Sequence, residues 1–183
     1  MDAVSTLLEN YDVLAAFWMT VKLTLVSAVG ALVIGTVVAV CRVSPVGVLR
    51  GFGTAYVTLI RNTPLTLIVF FCVFGLALSL NWRLVPGDDF TSNNIAWAIV
   101  GLSVYHAAFV AEAIRSGVNT VPLGQAEAAR AIGLTFGGTV REVVLPQAFR
   151  GAIAPLANTL IALTKNTTVA ATVGVAEAAA TMR

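Results

Sequence analysis

The sequence predicts an all-α integral membrane protein, and three observations carry that expectation. Hydrophobic residues make up 58% of the 183 residues and charged residues 11%, with a mean hydropathy of +0.89, against roughly 25% charged in soluble domains. Apolar runs recur along the chain, and the best of them exceed the roughly 20 residues that a helix needs to cross a bilayer. Between the runs lie short polar stretches, and arginine concentrates in alternate ones. The net charge of +2 is small and its lysines and arginines are scattered, which argues against a nucleic-acid partner. Cys41 and Cys72 fall in or beside apolar runs with no Cys or His at metal-ligand spacing, so both read as packing residues and no metal is expected.

The chain reads as one domain over residues 1–183. Residues 1–12 carry Asp2, Glu9 and Asp12 and no base. A cleavable signal peptide starts with positive charge, so this segment is expected to stay on the protein. The first span covers about 14–40, with Lys22 near enough to its outer end to snorkel. Residues 41–53, with Arg42, Pro45, Arg50 and Gly47, Gly51 and Gly53, read as a basic turn. A second span follows over about 54–80, interrupted early by Arg61-Asn62-Thr63-Pro64. Residues 81–93 form a polar loop, and a third span covers about 94–114. His106 lies in it without a second ligand and reads as a packing or hydrogen-bonding histidine. A weaker fourth apolar region, about 151–176, is broken by Pro155, Asn158, Lys165 and Asn166.

Loops 41–53 and 115–150 hold two and four arginines, loop 81–93 holds one and the acidic start none. The positive-inside tendency then puts the first two loops in the cytoplasm and the N-terminus outside.

The longest polar stretch runs from Gln125 to Pro146. Its alanines and straight-chain residues favour helix, Pro122 suits a first turn, and Gly133 can take the positive φ that closes a helix. A short helix is therefore expected over about 122–132, with Glu127 and Arg130 three apart on one face. A second short helix is expected to start with Thr139 and Glu142 as a capping box and to be interrupted at Pro146. Two short helices of small residues make a compact cytoplasmic knob; the plain alternative is a solvated loop.

Glu127-Ala128-Ala129, three residues, Gly133, nine residues, then Val143-Val144-Leu145-Pro146 resembles the EAA loop of permease subunits in bacterial ABC importers, with valine at 143 for the usual isoleucine. Arg61-Asn62-Thr63-Pro64-Leu65, Phe109-Val110-Ala111-Glu112 with Arg115-Ser116-Gly117, and Lys165-Asn166-Thr167-Thr168 are similar to segments of the polar amino acid branch of that family. The wording at residues 61–66 and 163–168 is similar to actinobacterial glutamate permease subunits. The resemblance implies a type I importer transmembrane domain. It further implies coupling to a separate ATPase through Gln125, Glu127, Ala128, Ala129 and Gly133. The implied partners are a second permease subunit, two ATPase subunits and an extracytoplasmic solute-binding protein, with the lipid bilayer around them and an amino acid as cargo.

No phosphate-binding Gly-x-x-x-x-Gly-Lys-Ser/Thr loop surrounds Lys22 or Lys165, so the chain is expected to be no enzyme and to bind no cofactor. ATP and Mg are expected on the partner ATPase. Arg61, Thr63, Lys165, Asn166 and Thr167 are the candidates for the substrate pathway, because an anionic amino acid needs cationic and hydrogen-bonding partners. Glu112 is expected in a gate or packing ion pair, and Arg61 has Glu112 or Glu177 as possible packing partners. Glutamine or a basic amino acid is the alternative cargo; a secondary transporter or a non-transporting membrane scaffold is the alternative class. Relatives carry one further spanning helix, which is expected to be truncated or absent here.

Overall fold

The computed structural model describes residues 13–87 and 89–178, so the expectations for residues 1–12 lie outside the described residues. Among the described residues all regular structure is helical. Helix α1, Val13–Val43, is 31 residues long. Small and aliphatic residues four apart, Leu23, Ser27, Ala31, Gly35 and Ala39, turn inward. Leu25, Val29, Val33 and Val37, also four apart, are exposed. A ridge of small side chains lets a second helix approach closely, while the outer aliphatic ridge suits lipid.

Helices α2, Gly47–Arg61, and α3, Leu65–Ser79, are bent by 103° relative to each other. Pro64 is the N-cap of α3 at ψ 136°; a proline here has no amide to continue the ladder and disfavours α geometry in the residue before it. The single span expected over about 54–80 is therefore a broken pair. The turn expected over 41–53 is mostly helix, with only residues 44–46 between α1 and α2. From Phe71 to Ser79, α3 winds on with wider, π-type turns.

Helix α4, Phe90–Asn119, is the centre of the molecule. Over its most apolar stretch 61% of residues are buried, against 33% for α1, which separates a central helix from a peripheral one. Asp89 caps it by accepting from the Thr91 amide at 3.1 Å and from the Ser92 hydroxyl. The Ser92 hydroxyl, followed by the Ser92 and Thr91 amides, holds the Asp89 carboxyl below its ordinary range. The helix runs beyond the expected end at 114, so Arg115 is helical.

Three short elements follow: α5, Leu123–Ala131; α6, Phe136–Thr139; and a π-type turn, Val140–Val144. Helix α7, Leu145–Asn166, then packs back on α4 and tightens into 3-10 turns over Thr167–Val173. The fourth apolar region thus starts earlier than the expected 151, carries Pro155 inside the helix, and changes winding at Lys165-Asn166. Among the described residues two helices, α1 and α4, are long and apolar enough to cross a membrane, or three spans if the bent pair α2 and α3 is one.

The α4–α7 contact depends on Gly117. A Cβ there would stand 2.7 Å from the Ala152 Cβ and 2.8 Å from its amide nitrogen, against backbone that cannot move aside cheaply. Without a hydrophobic drive between helices in lipid, such close backbone approach supplies the packing. Gly117→Val should therefore destabilise the protein by about 1–3 kcal/mol. A thermal melt in lipid nanodiscs checks it, and an unchanged midpoint contradicts this account of the contact.

Candidate functional site

The polar loop leaves α4 immediately after the Gly117 crossing. Pro122 is the N-cap of α5, and Gly133, at φ 96°, ends it. The Gly133 amide donates to the Arg130 carbonyl at 3.0 Å and the Leu134 amide to the Ala129 carbonyl at 3.1 Å. A left-handed residue with this doubled bond terminates the helix and redirects the chain, and only glycine adopts it without strain. The next cap is Thr135, whose hydroxyl accepts from the Gly138 amide at 3.2 Å. The capping box expected at Thr139 and Glu142 is absent: Thr139 is buried within the turn, and the helix had already begun at Phe136.

Two glutamines brace the loop. The Gln147 amide donates to the Gln125 side chain at 3.1 Å and to the Val143 carbonyl at 2.9 Å, which ties α5 to the start of α7. Ala129 is buried, while Glu127, Ala128 and Arg130 are exposed. Glu127 and Arg130, three apart as expected, form no ion pair among the described residues. Leu123, Ile132 and Phe136 are 83%, 82% and 73% exposed. A groove of about 640 Å³ opens beside them, lined by Gln125, Ala128, Ala129, Ile132, Leu134 and Val143 among others. Three large apolar side chains thus stand exposed around a groove, an uncommon arrangement for a solvated loop.

A second cluster lies where α1, α2 and α4 meet. Glu112 Oε1 accepts from Arg42 at 2.5 Å, and Arg61 and Arg115 approach the same carboxylate at 3.6 and 3.9 Å. The expected Glu112 ion pair is thus a centre for three arginines, and Arg61 pairs with Glu112. Glu177 is buried and accepts from the Thr20 hydroxyl of α1 at 3.4 Å. Sequence reasoning missed Arg42, which it counted only as a loop charge; the 70 residues between Arg42 and Glu112 leave no local spacing to read.

The remaining pathway candidates do not form one site with Arg61. Lys165 is exposed at the end of α7 and makes no ion pair among the described residues. Its neighbour Asn166 meets His106 at 3.2 Å. Because the Leu102 carbonyl can only accept, the His106 Nδ1 at 2.9 Å must donate to it, and the Nε2 then accepts from the Asn166 amide. His106 is therefore a hydrogen-bonding core histidine joining α4 to α7. Thr63 and Thr167 donate their hydroxyls to the Leu59 and Thr164 carbonyls, both at 2.8 Å, which commits those protons to the backbone. Cys41 and Cys72 are free thiols, and Cys72 is buried.

Residues 31–182 match the model of the binding-protein-dependent transport system inner membrane component family. The chain belongs to this family. Among curated relatives, a glutamate transport system permease protein, GluC, of Corynebacterium glutamicum is 53% identical over 94% of this chain and 77% of its own length. A probable glutamine ABC transporter permease protein, GlnM, of Bacillus subtilis is 39% identical over 91% of this chain and 73% of that protein. A crystal structure of an amino acid ABC transporter with histidines aligns at a TM-score of 0.84 with 26% identity, covering 97% of this chain and 79% of that one. An inward-facing structure of the MetNI methionine ABC transporter aligns at 0.72 with 26% identity, over the same shares. The fold is that of a type I ABC importer transmembrane domain, and the chain is a non-enzymatic permease subunit.

In this permease subunit the Glu112 carboxylate is the only acid among the described residues that balances the three arginines around it. Glu112→Gln removes that charge with little change of shape and should cost about 1–3 kcal/mol. A thermal melt of the assembled complex measures it; a midpoint equal to the unaltered protein contradicts a structural role for the cluster.

Proposed function

We propose that this subunit carries L-glutamate inward across the plasma membrane, driven by ATP hydrolysis on a separate subunit. The observation that supports the cargo is the 53% identity with a glutamate permease across nearly the whole chain. The exposed surface of α5 and its groove supports the coupling: Gln125, Glu127, Ala128, Ala129 and Gly133 shape a knob for an ATPase to hold. ATP and Mg bind there on the ATPase, and this chain binds no cofactor. The N-terminus is outside and the knob cytoplasmic, in keeping with the arginine count of the loops. A second permease subunit completes the pathway, and an external solute-binding protein delivers the amino acid.

Arg61 and Lys165 are the cationic contacts of the path, since both are exposed and neither is fully neutralised. Asn166, Thr63 and Thr167 act behind them by holding backbone and His106 in place. Glutamine is the second reading of the cargo, favoured by the 39% identity with a probable glutamine permease.

Uptake into vesicles that contain this subunit, its partner permease, the ATPase and the binding protein tests the cargo. Glutamate should accumulate with ATP in preference to glutamine and arginine, and preferential accumulation of either of the others overturns the assignment. Lys165→Ala should lower glutamate uptake about tenfold, the loss of one charge-assisted hydrogen bond, with the subunits still co-purifying. Equal loss of uptake and assembly returns Lys165 to a structural role. Glu127→Lys reverses a charge on the docking face and should abolish ATP-driven uptake while the protein stays in the membrane; normal uptake contradicts the docking assignment.

A further inference from the structure

The arginine cluster encloses space as well as charge. A cavity of about 360 Å³ is lined by Arg42, Thr58, Arg61, Asn62, Phe109 and Glu112, together with Val57. At about 30 Å³ per water molecule this is room for a small organic solute rather than a single ion. Three guanidiniums meet one carboxylate here, so two positive charges are left over. Arg42 takes the short contact with Glu112, and its side chain is 9% exposed. Arg61 stands 3.6 Å away, beyond a hydrogen bond, and its side chain is 46% exposed. Among the described residues Arg61 donates no hydrogen bond.

The position of Arg61 suits it for recognition. Its guanidinium lies over the Phe109 ring, 5.3 Å from the centroid. Stacking occupies the flat face of a guanidinium and leaves the N–H groups at its edge free, in the planar arrangement that matches a carboxylate. Asn62 and Thr58 add neutral donors on the same wall, and their side chains hydrogen-bond to no other described residue.

The faces of α2 say which way the cavity opens. Val48, Phe52, Ala55 and Leu59, spaced by four, three and four residues, form one exposed apolar stripe. Gly53 and Val57 face the core. Arg50, Thr54, Thr58 and Arg61, spaced by four, four and three, form an exposed polar stripe. At 100° per residue the polar and apolar stripes lie roughly 135° apart. The apolar stripe suits lipid, so the cavity, on the polar stripe, opens toward water.

We propose that this cavity is a carboxylate-binding station on the transport path, in which Arg61, Asn62 and Thr58 hold the side-chain or α-carboxylate of an anionic amino acid. Arg42 adds charge from behind, and Glu112 keeps the arginines apart and oriented. The proposal rests on the importer reading and extends its Arg61 contact to a site shared by three helices.

The test is glutamate uptake by the complete complex in proteoliposomes, with the binding protein held constant. Arg61→Gln should raise the glutamate concentration for half-maximal uptake about tenfold or more, as expected for the loss of a charged hydrogen bond. The double variant Thr58→Val, Asn62→Ala leaves the ion cluster intact and should raise it several-fold. Arg61→Lys should recover only part of the loss, because a point charge replaces a fork. A wild-type complex that transports while both Arg61→Gln and the double variant match it overturns this proposal alone. Losses that appear only in liposomes of anionic lipid overturn it too, since the occupant is then a headgroup phosphate. A wild-type complex that takes up no amino acid overturns the importer reading and this proposal together.

Discussion

The structure depends on how closely α1 and α7 approach α4. In water a helix bundle is held by apolar burial, but in lipid the surroundings are as apolar as the side chains, and contact must come from shape. Small residues provide it. Gly35 of α1 lies so close to Val110 and the Ala107 carbonyl that a Cβ would overlap both, and Gly117 plays the same part against α7. Ala107, Ala108 and Ala111 of α4 are fully buried, the last two against Val38, Ala39 and Val57. Large aliphatic side chains, Val29, Val33 and Val37 among them, are left on the outside, where a soluble protein would place polar ones.

That arrangement puts part of the arginine cluster and the start of the polar loop on one helix. Glu112, Arg115 and Gly117 fall within six residues of α4, and the polar loop begins at its end. The Gln125–Gln147 bond joins α5 to α7, and the Gly117 crossing joins α7 to α4. The arginine cluster, which joins α4 to α1 and α2, is the next contact along the same helix. The Arg61 and Arg115 contacts are long, at 3.6 and 3.9 Å, whereas Gly35 and Gly117 leave no room for a Cβ.

Much of this was legible in the sequence where the signal was local. The first and third apolar runs became α1 and α4, because length and hydropathy alone decide a spanning helix. Gly133 ended α5 as its position after an alanine-rich stretch suggests, and Arg61 met Glu112. The errors came from signals that compete. Glycines at 47, 51 and 53 resembled a turn, yet Gly53 serves to let α2 cross Arg42 and the Val38 carbonyl. Pro64 marked an interruption in the second span, but a 103° bend depends on what α3 packs against, which no window of sequence contains. The cap expected at Thr139 falls four residues earlier, at Thr135. Arg42 and the cavity it helps to enclose required contacts between distant parts of the chain.

In the proposed coupling, the exposed apolar groups of the loop, Leu123, Ile132 and Phe136, dock an ATPase. The most direct measurement is co-purification of the ATPase with the chain carrying Ile132→Asp, an exposed position whose substitution leaves the Gly133 termination untouched. The account predicts that the variant reaches the membrane and joins its partner permease as the unaltered chain does, while the ATPase no longer co-purifies. Retention of the ATPase at the unaltered stoichiometry would contradict it.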